Sequence, residues 1–378
     1  MNFPKLLSRR ALVGLSAAAI TGFAAPAALA APVAPPGFAV TTFAGVPGGS
    51  PAIKGPDDVA SLKGHVFVGW QNGVGPKGEP SPTGQTSGTV IEYSRTGRQL
   101  QSWTLAGKVD GLGGDPEHRR LIVTVNEDGN SSLYTITPRA PAGRQVRHYR
   151  YAPAPDSGTS GGVLTGGGTD AVSVRDGHIY LSASNPTPPN ATAVFQARLN
   201  PRTGVATLSA SFADNATATD AVTGQTVTLG LTDPDSNALV PEQSPRFGGD
   251  FVLAAQGDQQ LVFAHELGRD ATQLTRLSLT HAGASAGVDD VRWTTSHNGT
   301  LIVVDNAANA VYSVNGPFRA GQPFASLDNV GGAPQNNEVD SIDLRTGALN
   351  PFLTGLGKAK GLLWLPSRFT RSIRGPAR

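Results

Sequence analysis

The sequence predicts an all-β fold made from a repeated unit, and three observations carry that expectation. A short motif recurs: Gly55-Pro56-Asp57-Asp58-Val59-Ala60, Lys108-Val109-Asp110-Gly111-Leu112, Gly168-Thr169-Asp170-Ala171-Val172, Asp235-Ser236-Asn237-Ala238-Leu239 and Val288-Asp289-Asp290-Val291. A weaker sixth copy reads Ala359-Lys360-Gly361-Leu362-Leu363-Trp364. Each opens a short apolar strand, and in the first five a second strand follows and ends in an amide or acid: Gln71-Asn72, Asn126, Asn185, Gln256 and Asp305-Asn306. The 47 Gly and 29 Pro suit many short strands joined by tight turns, since Gly takes positive φ and Pro sets a turn corner. Short strands repeating every ~50–70 residues are a signature of radial repetition, a β-propeller. The prediction is one propeller of six blades, with five as the fallback count.

The elements follow in order. Residues 1–30 read as an export signal: Lys5, Arg9 and Arg10 form a basic start, 11–25 is apolar and small, and Ala28-Leu29-Ala30 fits a cleavage site. An uncleaved membrane anchor is the other reading, but the run is short against the ~20 residues a span needs. Ser8-Arg9-Arg10-Ala11-Leu12-Val13 resembles a twin-arginine export motif. Residues 31–37 are a Pro-rich leader, 38–366 the propeller, and 367–378 a basic tail expected to be disordered.

Phe38 to Phe43 alternates as a strand without a blade of its own. The first repeat runs Val59–Leu62, His65–Trp70, Thr89–Tyr93 and Gln99–Leu105. The second repeats that order through Leu121–Val125, Ser132–Ile136 and Gln145–Tyr149, the third through Ala171–Val174, His178–Ser182, Ala193–Leu199 and Val205–Phe212. The fourth is Ala238–Val240, Phe251–Ala255, Gln260–Ala264 and Gln273–Leu279. The fifth reads Val291–Thr294, Thr300–Val304, Ala310–Val314 and a late Leu349–Leu353, with an insertion at Phe318–Asn337. Val339–Leu344 is an alternative third strand for it. Gly361–Leu365 is one more inner strand, so joining the two termini in one blade would complete the ring and remove an open sheet edge. Further insertions fall at 72–87, 152–168, 185–191 and 214–235. If their turns share a face, that face is the place for a ligand.

Composition excludes several classes. Net charge is +2, which gives no electrostatic footprint for nucleic acid. There is no Cys, hence no disulfide scaffold, thiol nucleophile or thiolate metal site. No H-E-x-x-H, G-x-S-x-G or phosphate loop occurs. The four Trp read as packing between blades.

Chemistry falls to the repeated Asp and Asn residues. Asp58, Asp110, Asp170, Asn237 and Asp290 would make one ring near the axis. Asn126, Asn185, Asp305 and Asn306 would lie near a channel mouth. Oxygen ligands of this kind suit Ca²⁺ or another divalent cation; the other reading is that each caps its own turn. The chain resembles the NHL, YncE-like and SMP-30/gluconolactonase-like propellers in these strand starts, in its second-strand ends and in the closing Lys360-Gly361-Leu362-Leu363-Trp364-Leu365-Pro366. That resemblance implies an axial divalent metal held by Asp58, Asn126, Asn185 and Asp305, although Gly55-Pro56-Asp57-Asp58 stands where those lactonases have Glu-Gly-Pro. Two functions follow: a secreted, monomeric binding or scaffold propeller for a small molecule, envelope polymer or protein, with no cofactor required; or a metal-dependent hydrolase of the lactonase type.

Overall fold

The computed structural model describes residues 31–46, 50, 52–155, 167–187, 189–268, 272–335 and 337–367. The expected export signal, most of the 152–168 insertion and the basic tail after Ser367 lie outside the described residues. Every regular element among the described residues is a strand.

Three repeats fold as meanders, each strand pairing with the next. Pro56–Leu62, His65–Trp70, Ser87–Tyr93 and Gln99–Ala106 form one sheet. Val109–Asp115, Arg120–Val125, Ser132–Ile136 and Val146–Tyr151 form a second run, and Thr169–Arg175, His178–Ala183, Thr192–Asn200 and Val205–Ala213 a third. Only two residue pairs, Val205↔Arg150 and Ala206↔Tyr151, join the second and third runs into an eight-stranded sheet. The predicted turn at 200–204 is present: Gly204 has φ +65° and its N–H donates to the Asn200 carbonyl. Pro234–Leu239, Phe251–Ala255, Gln260–His265 and Gln273–Ser278 come next, and their outer edge is extended by a hairpin of Thr217–Asp220 and Thr226–Thr228 inside the 214–235 insertion.

The last two repeats are interleaved, which corrects the sequence reading. The inner strand Ala284–Trp293 is followed by a hairpin, Gly299–Asp305 and Ala310–Asn315, that leaves its sheet. That hairpin pairs with Ala359–Pro366 on one side and with Ala39–Gly45 on the other. The chain then returns, and Pro323–Val330, Glu338–Ile342 and Ala348–Thr354 complete the sheet begun at Ala284. The supposed insertion at Phe318–Asn337 thus contains a second strand, whereas Thr300–Val304 and Ala310–Val314 belong to the closing sheet. The misreading has a physical cause. Leu301, Ile302, Val303 and Val304 are all buried, so no polar face marks which neighbour the hairpin joins. Both terminal strands do meet in one sheet, as closure requires.

The core lies between sheets rather than within one. Val59, Trp70 and Ile91 of the first sheet pack on Ile302, Val304 and Leu363 of the closing sheet. Phe67, Trp103 and Leu105 pack on Leu121 and Val123 of the second run. Each such side chain stabilises by about 1.5–3 kcal/mol when fully buried. The four Trp are buried in these layers as expected. Neighbouring inner strands pack in a closed cycle around an axis.

Each inner strand starts opposite the end of its second strand, as in Pro56↔Trp70, Val109↔Val125, Thr169↔Ala183 and Pro234↔Ala255. Turns that follow second strands therefore share one face with the connections entering inner strands. The insertions at 72–87, 185–191 and 214–235 follow that rule where they are described.

Candidate functional site at the axis

The same irregularity occurs at the head of the inner strands. A β-bulge falls between Pro56 and Val59, Val109 and Leu112, Thr169 and Val172, Pro234 and Asn237, and Val288 and Val291. The ladder of the closing inner strand shifts opposite its own head, between Val303 and Asp305. A bulge re-aims a side chain. Here the residue after the first bulge position is Asp57, Asp110, Asp170, Asp235 and Asp289, and Lys360 holds the equivalent place in the closing strand. All six line one cavity of about 810 Å³.

This ring differs in register from the one read from sequence. Asp110 and Asp170 are common to both, while Asp58 and Asp290 stand one residue later and Asn237 two, lining the same cavity. Those three also stitch inner strands together. Asp58 accepts the Val59 and Leu112 N–H groups at 2.6 Å each, and Asp290 accepts those of Val291 and Leu362 at 2.7 Å each. Asn237 donates to the Ala171 carbonyl at 3.0 Å. The strands approach so closely that a Cβ on Gly111 would lie 2.5 Å from the Asp170 carbonyl oxygen, and one on Gly361 2.7 Å from that of Asp57. This explains the Gly of the Asp-Gly-Leu and Lys-Gly-Leu copies.

The ring's charges are unevenly compensated. Lys360 Nζ contacts Asp289 and lies 3.9 Å from Asp57. Lys108 Nζ lies 2.9 Å from Asp110 and contacts Glu127. Burial alone would depress both ammonium groups, but the surrounding carboxylates outweigh it and hold both above the ordinary lysine range. Gln71 donates to Asp110 at 3.2 Å, and Gln256 to Asp235 at 3.1 Å and Asp289 at 3.4 Å. Burial, then the neighbouring acids, pushes the carboxyls of Asp110, Asp170 and Asp235 well above the usual range. Burial and Asp57 raise Asp289 to about 7 against the pull of Lys360. Buried polar atoms without partners at this wall include Asp110 Oδ2 and Asn237 Oδ1.

The residues that the resemblance implies as metal ligands are held apart. Asp58 and Asn185 line the cavity; Asn126 and Asp305 do not. Asn126, at φ +63°, accepts the Lys108 N–H at 2.9 Å and so orients the lysine that serves Asp110. The Asn185 amide donates to Asp128. Asp305 accepts the N–H groups of Ala308, Gly357 and Lys358 at 3.1, 2.9 and 2.9 Å, a staple between two connections. Asp58 and Asp305 thus spend two and three acceptor sites on backbone donors, and because the four residues do not share one cavity they do not form a ready donor set for an axial cation. Among the described residues, the group whose ligand atoms lie within 4.8 Å of one another is His281, Glu338 and Asp340. His281 is far in sequence from the other two and the set carries no motif spacing, so sequence reasoning missed them. It also missed Lys108 and Glu127, whose only signal is adjacency to the recurring Asp and Asn.

No family model matches the chain, and no curated protein matches it. Among solved structures it is similar to the periplasmic gluconolactonase of Pseudomonas aeruginosa, at 14% identity and TM-score 0.45 over 83% of this chain and 89% of that one. A gluconolactonase from Xanthomonas campestris is similar at 14% identity and TM-score 0.44, over 86% and 89%. The WD40 β-propeller domain of Doa1 is similar at 12% identity and TM-score 0.38, over 83% and 90%.

Proposed function

We propose that this chain is an exported, monomeric, six-bladed β-propeller that binds a small cationic ligand at its axial mouth. The observation that carries the reading is the ring itself: five aspartates and one lysine, one from each inner strand, delivered to one cavity by one repeated bulge. The cavity wall holds ten acids (Asp57, Asp58, Asp110, Glu127, Asp128, Asp170, Asp233, Asp235, Asp289, Asp290) and five bases (Lys63, Lys108, Arg292, Lys358, Lys360). The whole chain is net basic at +2. Acids thus outnumber bases where a ligand enters, and a cation placed among carboxyls that burial holds above their usual range would favour their charged form.

The metal-dependent hydrolase is the second reading of the sequence. It requires Asp58 and Asp305 to exchange backbone N–H partners for a metal, which the geometry disfavours, so no hydrolytic step is derived. The test is thermal melting of the purified protein against cationic, neutral and anionic small molecules and Ca²⁺, with Asp110→Asn alongside. Cations should raise the melting temperature of the parent protein more than that of the variant. Stabilisation by anions alone, or equal shifts in both proteins, would refute the binding reading. A stoichiometric Ca²⁺ lost in Asn185→Ala would restore the hydrolase.

A further inference from the structure

Away from the axis, one cluster joins an imidazole to two carboxylates. His281 ends the two-residue strand Thr280–His281, and Glu338 and Asp340 stand two residues apart on Glu338–Ile342, on one face of that strand. Ala348–Thr354 runs between the two strands, with Leu349 opposite His281 on one side and Ile342 on the other. The three side chains meet across it. His281 Nδ1 lies 2.8 Å from Asp340 Oδ2, and Nε2 lies 3.4 Å from Glu338 Oε1. One imidazole nitrogen and one oxygen of each carboxylate lie within 4.8 Å of one another.

Hydrogen bonding alone leaves this cluster incomplete. A neutral imidazole has one N–H, enough for one of the two carboxylates. Asp340 is 0% exposed, and its Oδ1 is buried without a partner while Oδ2 of the same carboxylate faces the histidine. A buried carboxylate oxygen is destabilising unless a donor or a cation meets it. We infer that His281, Glu338 and Asp340 bind one divalent transition-metal ion of the zinc type. The donor set selects the class: an imidazole beside carboxylates suits zinc-like ions, whereas Ca²⁺ takes six to eight oxygens. The His281 and Glu338 side chains are 17% and 14% exposed, so an ion can enter from solvent and keep a water in a further position. The ion would tie Glu338–Ile342 to Thr280–His281, which only two residue pairs hold to Ala348–Thr354. None of the three residues lines the axial cavity, so the inference stands apart from the reading of that cavity.

Equilibrium dialysis of the full protein against ZnCl₂ and CaCl₂ tests it. The parent should hold one tightly bound zinc that excess Ca²⁺ does not displace. His281→Gln and Glu338→Gln should each weaken zinc binding at least tenfold. Undiminished zinc binding in either variant when folded, or displacement of the zinc by Ca²⁺, overturns the site. Anomalous diffraction at the zinc edge from crystals of the parent needs no variant. A peak among the three side chains is the expected result; a peak only elsewhere, or none, overturns the inference. The axial reading has its own test in Asp110→Asn, which neither variant touches.

Discussion

Replacing Lys360 with Met removes the one cation that the ring itself contains. Its Nζ contacts Asp289 and lies 3.9 Å from Asp57, and the side chains involved are only 18%, 9% and 16% exposed. At an effective dielectric of about 20, a pair of unit charges at that separation interacts by about 4 kcal/mol. Losing one partner of a buried ion pair costs about 3–5 kcal/mol, because the other charge stays buried. Met keeps the bulk, so packing contributes little. The loss should depend on pH. Asp289 titrates near 7 in the folded protein against an ordinary 3.8, so below pH 7 it takes up a proton and needs the lysine less. Urea unfolding should therefore show Lys360→Met destabilised by about 3–5 kcal/mol at pH 8 and by roughly half that at pH 5. A loss below about 1 kcal/mol at pH 8, or equal losses at both pH values, would refute the electrostatic account of the ring.

Gly111→Ala should cost about 1–3 kcal/mol in the same assay, since its Cβ would meet the Asp170 carbonyl oxygen at 2.5 Å and Ala171 Cα at 2.7 Å. Asp58→Ala should cost about 1–3 kcal/mol by leaving the buried Leu112 N–H unpaired; a neutral result would return Asp58 to the ligand candidates. Because burial raises Asp289 above its unfolded value, the folded state holds its proton longer, and this group's contribution to stability falls as pH rises from about 4 through 7. Asp289→Asn should lack that decline, so its stability relative to the parent should improve between pH 5 and 8, by an amount on the order of 2–4 kcal/mol. A relative stability that stays flat with pH would contradict the assignment. Arg9→Lys with Arg10→Lys should leave the unprocessed protein in the cytoplasm if the twin-arginine reading is right, as immunoblotting of fractions would show.

Much of the architecture is legible because propeller repeats are local. His65–Trp70, Ser132–Ile136 and Phe251–Ala255 have the bounds that alternation and turn residues predict. The site is half legible. The recurring Asp announces a ring, but in Asp57-Asp58 and Asp289-Asp290 either residue fits the pattern, and a bulge sits at that point. A one-residue slip sends a side chain to the other face of its strand. Lys360, the least Asp-like copy, proves to be the ring's sixth member. The interleaving of the last two repeats is not legible at all. The hairpin at 299–315 is equally apolar on both sides, and its sheet is decided by partners at the two chain ends.

That interleaving makes the site depend on contacts between distant parts of the chain. Ala359–Pro366 is the innermost strand of its sheet, seated beside a hairpin about sixty residues earlier in the sequence. The same hairpin pairs on its other side with Ala39–Gly45, so strands far apart in sequence complete this sheet. Lys360 stands on Ala359–Pro366. It carries the cation that Asp57 and Asp289 share, so this part of the ring is compensated only when the sheet is complete. A ligand that binds only the finished ring would hold the molecule shut by mass action.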